Sequence, residues 1–237
     1  MENDMGTASH IYSDDGQGDG RMVLCIKNIL KKIVVPIVRL YTSHRTFMFN
    51  NTVFHYFIHG YNTTWINERA VEVPIVTSYL QKNERILEVG NVLSHYLDLD
   101  WDVLDKFEKG TGIINADIVD FKPKKLYDLI ISVSTLEHIG VDDDEKDEGK
   151  IVPAILNMKD HCLAAGGRMI ATFPIGYNKG MDNRLFSGQL FFNEIFFLKR
   201  VSMKNEWREV RRDEVVDAQY GRPFPGTNCL CIGILKK

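Results

Sequence analysis

Three short apolar runs in this chain of 237 residues end on carboxylates or on a glycine turn. Ile86 to Val89 contains Glu88 and leads into Gly90-Asn91; Val103-Leu104 leads into Asp105-Lys106; Ile113 to Ala116 leads into Asp117-Ile118. Glycine permits a tight turn and close approach of backbone to a ligand. An acid at the end of the second run suits the hydrogen bonds of a ribose diol. Asp117 with Ile118 pairs an acceptor for an amine with an apolar wall for an aromatic base. Three successive ends therefore offer groups suited to a nucleoside.

Groups so placed need a sheet to bring them together. From Glu84 onward, short apolar runs alternate with helical segments: Arg85 to Val89, Trp101 to Asp105, Gly112 to Ala116, Tyr127 to Val133 and Arg168 to Phe173. Runs of this length without alternation mean strands buried on both faces, hence a parallel sheet covered by helices. A helix over Gly149 to Leu163 is expected to end at Ala164-Ala165-Gly166-Gly167, where glycine suits the left-handed cap. Glu206 to Arg211 and Leu230 to Leu235, joined by a Pro/Gly loop, read as an antiparallel hairpin closing one edge. The expected fold is a three-layer α/β/α sandwich around a mostly parallel seven-stranded sheet with a C-terminal antiparallel hairpin. In such sheets ligands bind outside the carboxyl ends of the strands.

Upstream, the chain divides into an acidic tail over 1–20, expected to be disordered, and covering elements over 21–83, ahead of the body at 84–237. Arg21 to Tyr41 has apolar residues at helical spacing and only basic charges, and is kinked or ended near Pro36. It reads as a helix packed on its own domain or lying on an anionic membrane surface, a peripheral contact rather than a span. Phe47 to Tyr61 is aromatic and partly β-like, and Asn67 to Leu80 is helical. These elements are expected to cover or border a pocket.

The composition, 44% hydrophobic and 26% charged, is that of a soluble globular domain. Its net charge of −3 hides a distribution. Residues 1–20 carry −5 and Glu137 to Glu148 carry −6, so the remainder is mildly basic at +8. The overall balance of 29 basic against 32 acidic residues argues against a broad polyanion, and no RNA-binding module or Asn-Pro-Pro-Tyr motif is present, so no nucleic-acid partner is expected. Cys25, Cys162, Cys229 and Cys231 form no CxxC pair. No metal site is expected, and with no secretory signal at the start the chain reads as cytoplasmic.

The order of motifs resembles the class I S-adenosylmethionine-dependent methyltransferases from about Arg85 to the C-terminus. The matching pieces are ILEVG (Ile86–Gly90), VLD (Val103–Asp105), ADI (Ala116–Ile118), YDLIISVSTLEHIG (Tyr127–Gly140) and GGRMIATFP (Gly167–Pro174). The resemblance implies S-adenosylmethionine as cofactor. Glu88, Gly90 and Asn91 would lie beside its amino-acid part, Asp105 would bind the ribose with Lys106 following in the same loop, and Asp117 with Ile118 would hold adenine. The first loop departs from the family in having no glycine after Gly90. That departure counts more heavily against a dinucleotide, whose pyrophosphate needs G-x-G-x-x-G, than against a cofactor with no phosphate.

Methyl transfer asks the enzyme to align an acceptor and, for a hydroxyl, to remove a proton. The loop Ser134-Thr135-Leu136-Glu137-His138 falls where acceptor and methyl should meet, with Ser134 on the cofactor side. His138 is the leading candidate base, or else orders the loop; Glu137 would bind an acceptor hydroxyl or cap the next turn. The acidic run Asp142 to Glu148 lacks cation-loop spacing and reads as a solvated loop. Tyr177 and Asn178 offer ring and hydrogen-bonding groups to an acceptor. Arg69 would bind the cofactor carboxylate or an acceptor phosphate, or pair with Glu72. Phe186 to Phe197 reads as core. The expected function is methyl transfer to oxygen or nitrogen of a polar small molecule or glycan. The alternative is a non-catalytic nucleoside-binding or interaction module that has kept the fold.

Overall fold

The computed structural model describes residues 34–42 and 44–237. Residues 42–237 form one compact unit, so the hairpin and helix ahead of Glu84 belong to the same body as the sheet. The acidic tail, Cys25 and the basic stretch 21–33 lie outside the described residues. Residues 34–42 are helical, with Ile37, Leu40 and Tyr41 exposed. Among the described residues no helix is long and apolar enough to cross a membrane.

The unit opens with a two-stranded hairpin, β1 (Thr46–Phe49) and β2 (Thr52–His55). Its two-residue turn uses Asn50 (φ +46°) and Asn51 (φ +59°), the left-handed pair that matches strand twist in a tight hairpin. Phe47 and Phe49 alternate inward while Met48 faces out. Helix α1 (Arg69–Thr77) follows, then β3 (Ile86–Val89), β4 (Asp102–Asp105), β5 (Ile113–Asn115) and β6 (Tyr127–Val133). Helix α2 (Ile151–Asn157) leads to β7 (Leu163–Pro174), α3 (Lys179–Phe186), β8 (Glu194–Arg200), β9 (Trp207–Val210) and β10 (Cys229–Lys236).

The main sheet has eight strands in the order β5-β4-β3-β6-β7-β10-β8-β9. The first five of these are mutually parallel, and β10 runs antiparallel to both β7 and β8. Side chains of β6 alternate between two cores: Ile130 packs with α2 and α3, whereas Leu129 and Ile131 pack with α1 and β1. This is the three-layer sandwich that continuous apolar runs require.

Two expectations are corrected. The strand at β9 does not pair with β10 as a hairpin; β8 lies between them and pairs with both, Leu198 opposite Leu230 and opposite Glu209. The aromatic run read only as core thus supplies an eighth strand, because Phe197 and Leu198 are buried on opposite faces. The second correction concerns Ala164 to Gly167. Helix α2 stops at Asn157, a π-turn runs from Met158 to Cys162, and the glycines sit inside β7. There the partners jump from Tyr127↔Leu163 to Leu129↔Arg168, and Gly166 takes φ +76°, the positive angle a bulge needs.

Candidate functional site

The carboxyl ends of β3, β4, β5 and β6 open into a cavity of about 410 Å³. Its wall includes Gly90, Asn91, Asp105, Lys106, Asp117, Ile118 and His138, each foreseen from sequence. Val89, Val92, Leu104, Phe107, Ala116, Thr135, Ile139, Asp142, Asp143 and Lys150 complete it. The apolar members gave no signal beyond adjacency to the motifs. Asp142 and Asp143 carried one, a charge run, that was assigned to solvent.

Gly90 takes φ +89°, and a Cβ there would stand 2.0 Å from Thr135 Oγ1. The strand end and the loop after β6 therefore touch where only glycine fits. Glu88 lies beneath the loop that follows Gly90. Fully buried and outside the cavity wall, it accepts from the backbone N–H of Val92 (3.0 Å) and Leu93 (2.7 Å) on Oε1. Trp101 Nε1 approaches Oε2 at 3.5 Å. Glu88 thus supports the loop from beneath instead of facing a ligand. Burial pushes its carboxyl up to about 7, against the lowering by those two N–H groups.

Asp105 is bound to the backbone around it. Oδ1 accepts from Phe107 N (2.9 Å) and Glu108 N (2.7 Å), and Oδ2 from Asn91 N (3.0 Å). A carboxylate has about four acceptor positions, so about one remains toward the cavity. Asn91 is held in turn, donating from Nδ2 to Glu108 at 2.8 Å and accepting from Ser94.

The next strand end is more heavily charged than expected. Asp117 Oδ1 accepts from Val119 N (3.1 Å), while Oδ2 meets Lys150 Nζ at 2.7 Å and Lys106 Nζ at 3.0 Å. Both lysines also pair with Asp143, Lys106 at 2.6 Å. The Asp143 side chain is only 8% exposed, so the acidic run is not simply a solvated loop: its start folds into the cavity. Against the cost of burial, the two ammonium groups hold Asp117 and Asp143 below the ordinary aspartate range.

Past β6 the residues separate into a buried layer and a wall layer. Ser134, at φ +40°, donates to Glu72 Oε1 at 2.7 Å and does not line the cavity. Glu72 also accepts from Thr172 Oγ1 (2.7 Å) and is gripped by Arg69, which has Glu68 at 3.9 Å as well. Arg69 thus takes the pairing with Glu72 rather than facing the cavity. Glu137 is likewise buried, 2% exposed, and among the described residues its Oε2 has no partner. Burial, with Glu72 and Glu68 adding, pushes this carboxyl well above the ordinary carboxylate range. Asn178 caps α3, accepting from Met181 N at 3.0 Å, and donates to the Glu137 carbonyl at 2.9 Å. Both are therefore positioned to hold the loop, not to reach an acceptor from the cavity wall.

His138 is on the wall. Nδ1 lies 2.6 Å from Asp142 Oδ2 and 3.4 Å from the Tyr177 hydroxyl, and Nε2 lies 3.7 Å from Glu137 Oε1. The Tyr177 ring meets the imidazole edge-on at 5.0 Å and Tyr220 at 5.2 Å. Cys162, Cys229 and Cys231 are free, buried and remote from this wall. Among the described residues no cluster of metal-ligating side chains is found.

The strand order, five parallel strands followed by an antiparallel one inserted before the next, decides the architecture. The fold is a mostly parallel α/β/α sandwich with antiparallel strands at its C-terminal edge. Solved structures of similar fold include the N-methyltransferase NodS of Bradyrhizobium japonicum in complex with S-adenosyl-L-homocysteine, at 16% identity and TM-score 0.40, covering 65% of this chain and 78% of that one. A TehB-like methyltransferase of Corynebacterium glutamicum matches at 16% identity and TM-score 0.42, covering 70% and 87%. A possible histamine N-methyltransferase of Thermotoga maritima matches at 13% and 0.41, covering 69% and 87%. No protein-family model matches the sequence, and comparison with curated proteins gives no match.

Proposed function

We propose that this chain is an S-adenosylmethionine-dependent methyltransferase acting on an oxygen or nitrogen of a polar small molecule or glycan. The observation that supports it most is the cavity itself: Gly90, Asp105 and Ile118, from three successive strand ends, line one space beside His138. Asp105 keeps an acceptor position for a ribose hydroxyl. Leu104, Ile118 and Ile139 supply apolar wall for a base. Glycine at position 90 lets the strand end close against Thr135 at the edge of this space. These groups fit a nucleoside with no phosphate. Bound there, S-adenosylmethionine supplies an electrophilic methyl on a sulfonium. The protein's part is to hold an acceptor in line, exclude water and receive a proton.

The polar and aromatic residues near His138, Tyr177 and Tyr220 suit a polyhydroxylated acceptor. One observation favours the second reading, a nucleoside-binding module without catalysis. Asp117, the acceptor for an adenine amine, is already engaged by two lysines. Calorimetry with S-adenosylmethionine, followed by methyl-donor consumption with polar acceptors, separates the readings. Binding with turnover is expected; no binding sinks the methyltransferase reading, and binding without turnover favours the module.

A further inference from the structure

The acidic run beyond β6 contributes two consecutive aspartates to the wall, and they do different things. Asp143 is fixed by Lys106 and Lys150. Asp142 is brought back over His138 because the His138 carbonyl accepts the N–H of both Val141 and Asp142, each at 3.1 Å. Its carboxylate then meets His138 Nδ1 at 2.6 Å. Tyr177 restrains the ring from the side, with its hydroxyl 3.4 Å from the same nitrogen. Among the described residues Nε2 has the Glu137 carboxyl at 3.7 Å, beyond hydrogen-bond distance. The imidazole is 38% exposed and lies on the cavity wall.

We propose that Asp142 is a positioning residue that holds His138 as the Nδ1–H tautomer, leaving Nε2 as the proton acceptor, and that the acceptor group is therefore a hydroxyl. The inference rests on the methyltransferase reading and deepens it. A built base distinguishes acceptor classes. An aliphatic hydroxyl, like water with a pKa of about 16, does not ionise unaided near neutrality. An alkyl amine like that of lysine, near 10, loses its proton to solvent far more readily. In the step itself a lone pair of the acceptor oxygen forms the new O–C bond, the C–S bonding pair stays on sulfur, and the hydroxyl proton passes to Nε2. The sulfonium charge is thereby exchanged for an imidazolium, which Asp142 stabilises until the proton leaves to water.

The test reads the tautomer without turnover. Nitrogen-15 spectra of the full chain with S-adenosylhomocysteine, assigned through His138→Ala, are expected to show neutral His138 protonated on Nδ1. Asp142→Ala should shift it toward the Nε2–H form, and Asp142→Glu should restore the original. A wild-type Nε2–H form, or a tautomer unchanged in Asp142→Ala, overturns the proposal. With methyl-labelled S-adenosylmethionine and a mixture of sugars and amino sugars, the label should appear on oxygen. His138→Ala should lower kcat about 10²- to 10⁴-fold and Asp142→Ala by a smaller factor, with S-adenosylhomocysteine affinity unchanged. Label on nitrogen overturns the hydroxyl assignment. Failure of the wild-type chain to bind S-adenosylhomocysteine removes the methyltransferase reading itself and is seen separately by calorimetry.

Discussion

Glu88→Gln isolates one buried charge beneath the cofactor loop. The Glu88 carboxyl rises from an ordinary value of 4.5 to about 7 in the folded chain, burial being the main cause. An acid whose pKa is raised on folding binds more protons in the native state than in the unfolded one. Its relative stabilisation is therefore complete below 4.5 and is lost as pH climbs through 7. The shift corresponds to about 3 kcal/mol at 1.36 kcal/mol per unit. Glutamine keeps an oxygen for the N–H groups of Val92 and Leu93 but does not ionise, so the variant escapes the loss. Urea unfolding of both proteins at intervals from pH 4.5 to 8.5 is the assay. The difference in stability between variant and wild type should move by about 3 kcal/mol in the variant's favour across that range. In melting temperature this is roughly 6–12 °C for a domain of this size. Taking the difference between the two proteins cancels the other titrating groups, including the opposite contributions of Asp117 and Asp143. A difference constant to within about 1 kcal/mol across the range would falsify the claim that Glu88 is buried at a cost.

Three further outcomes follow from the cavity wall. Asp105→Ala removes a charged acceptor and should weaken S-adenosylhomocysteine binding about 10-fold or more by calorimetry; an unchanged Kd with an intact fold refutes the ribose assignment. Gly90→Ala places a Cβ against Thr135 at φ +89° and should lower stability by more than about 1 kcal/mol, together with cofactor affinity. Equal stability and affinity would show that the strand end yields freely. Lys150→Met leaves Asp117 and Asp143 close together with only Lys106 between them, and should cost about 1–2 kcal/mol after allowing for partial exposure. That loss should shrink as pH falls below the ordinary aspartate range near 4, where both carboxylates take up protons; a loss independent of pH argues for packing instead.

How far the sequence was legible depends on whether a residue's role is fixed by its own strand or by a distant one. Gly90, Asp105, Asp117 and Ile118 are found on the wall because strand ends in a parallel sheet converge wherever the strands do, and the runs ILEV, VLD and IIN announce those strands. Glu88 occupies a strand position whose neighbour Val89 lines the cavity, yet alternation turns it to the opposite face, where the loop N–H groups and Trp101 claim it. Ser134 leaves the wall for a second reason, whereas the Arg69–Glu72 pair is the local alternative that i,i+3 spacing offered. Glu72, remote from the motifs, gathers Ser134, Thr172 and Arg69 into one buried network. A partner lying 62 or 100 residues away leaves no trace in local spacing. The eighth strand was missed for a third reason, since FFNEIFF satisfies a core helix, a loop or a strand equally until β10 offers it an edge.

The acidic run shows what composition alone can and cannot say. Seven acids between Glu137 and Glu148 identify a charged segment but not which of them are desolvated. Asp143 is drawn inward because Lys106 follows β4 and Lys150 precedes α2, placing two cations over the cavity with Asp117 unable to neutralise both. Once Asp143 is fixed, its neighbour Asp142 has little freedom, and the turn closed by the His138 carbonyl sets it on the imidazole. The same two lysines that compete for Asp117 therefore order the loop that orients His138. Neutralising Lys106 alone, as Lys106→Met, should release Asp143 in part and loosen the Asp142–His138 contact, although neither residue touches Lys106's own loop in sequence. The expected readout is a His138 tautomer displaced in the direction of Asp142→Ala but by less. A tautomer identical to wild type would show that the turn alone fixes Asp142 and that the lysine cluster serves only the cavity.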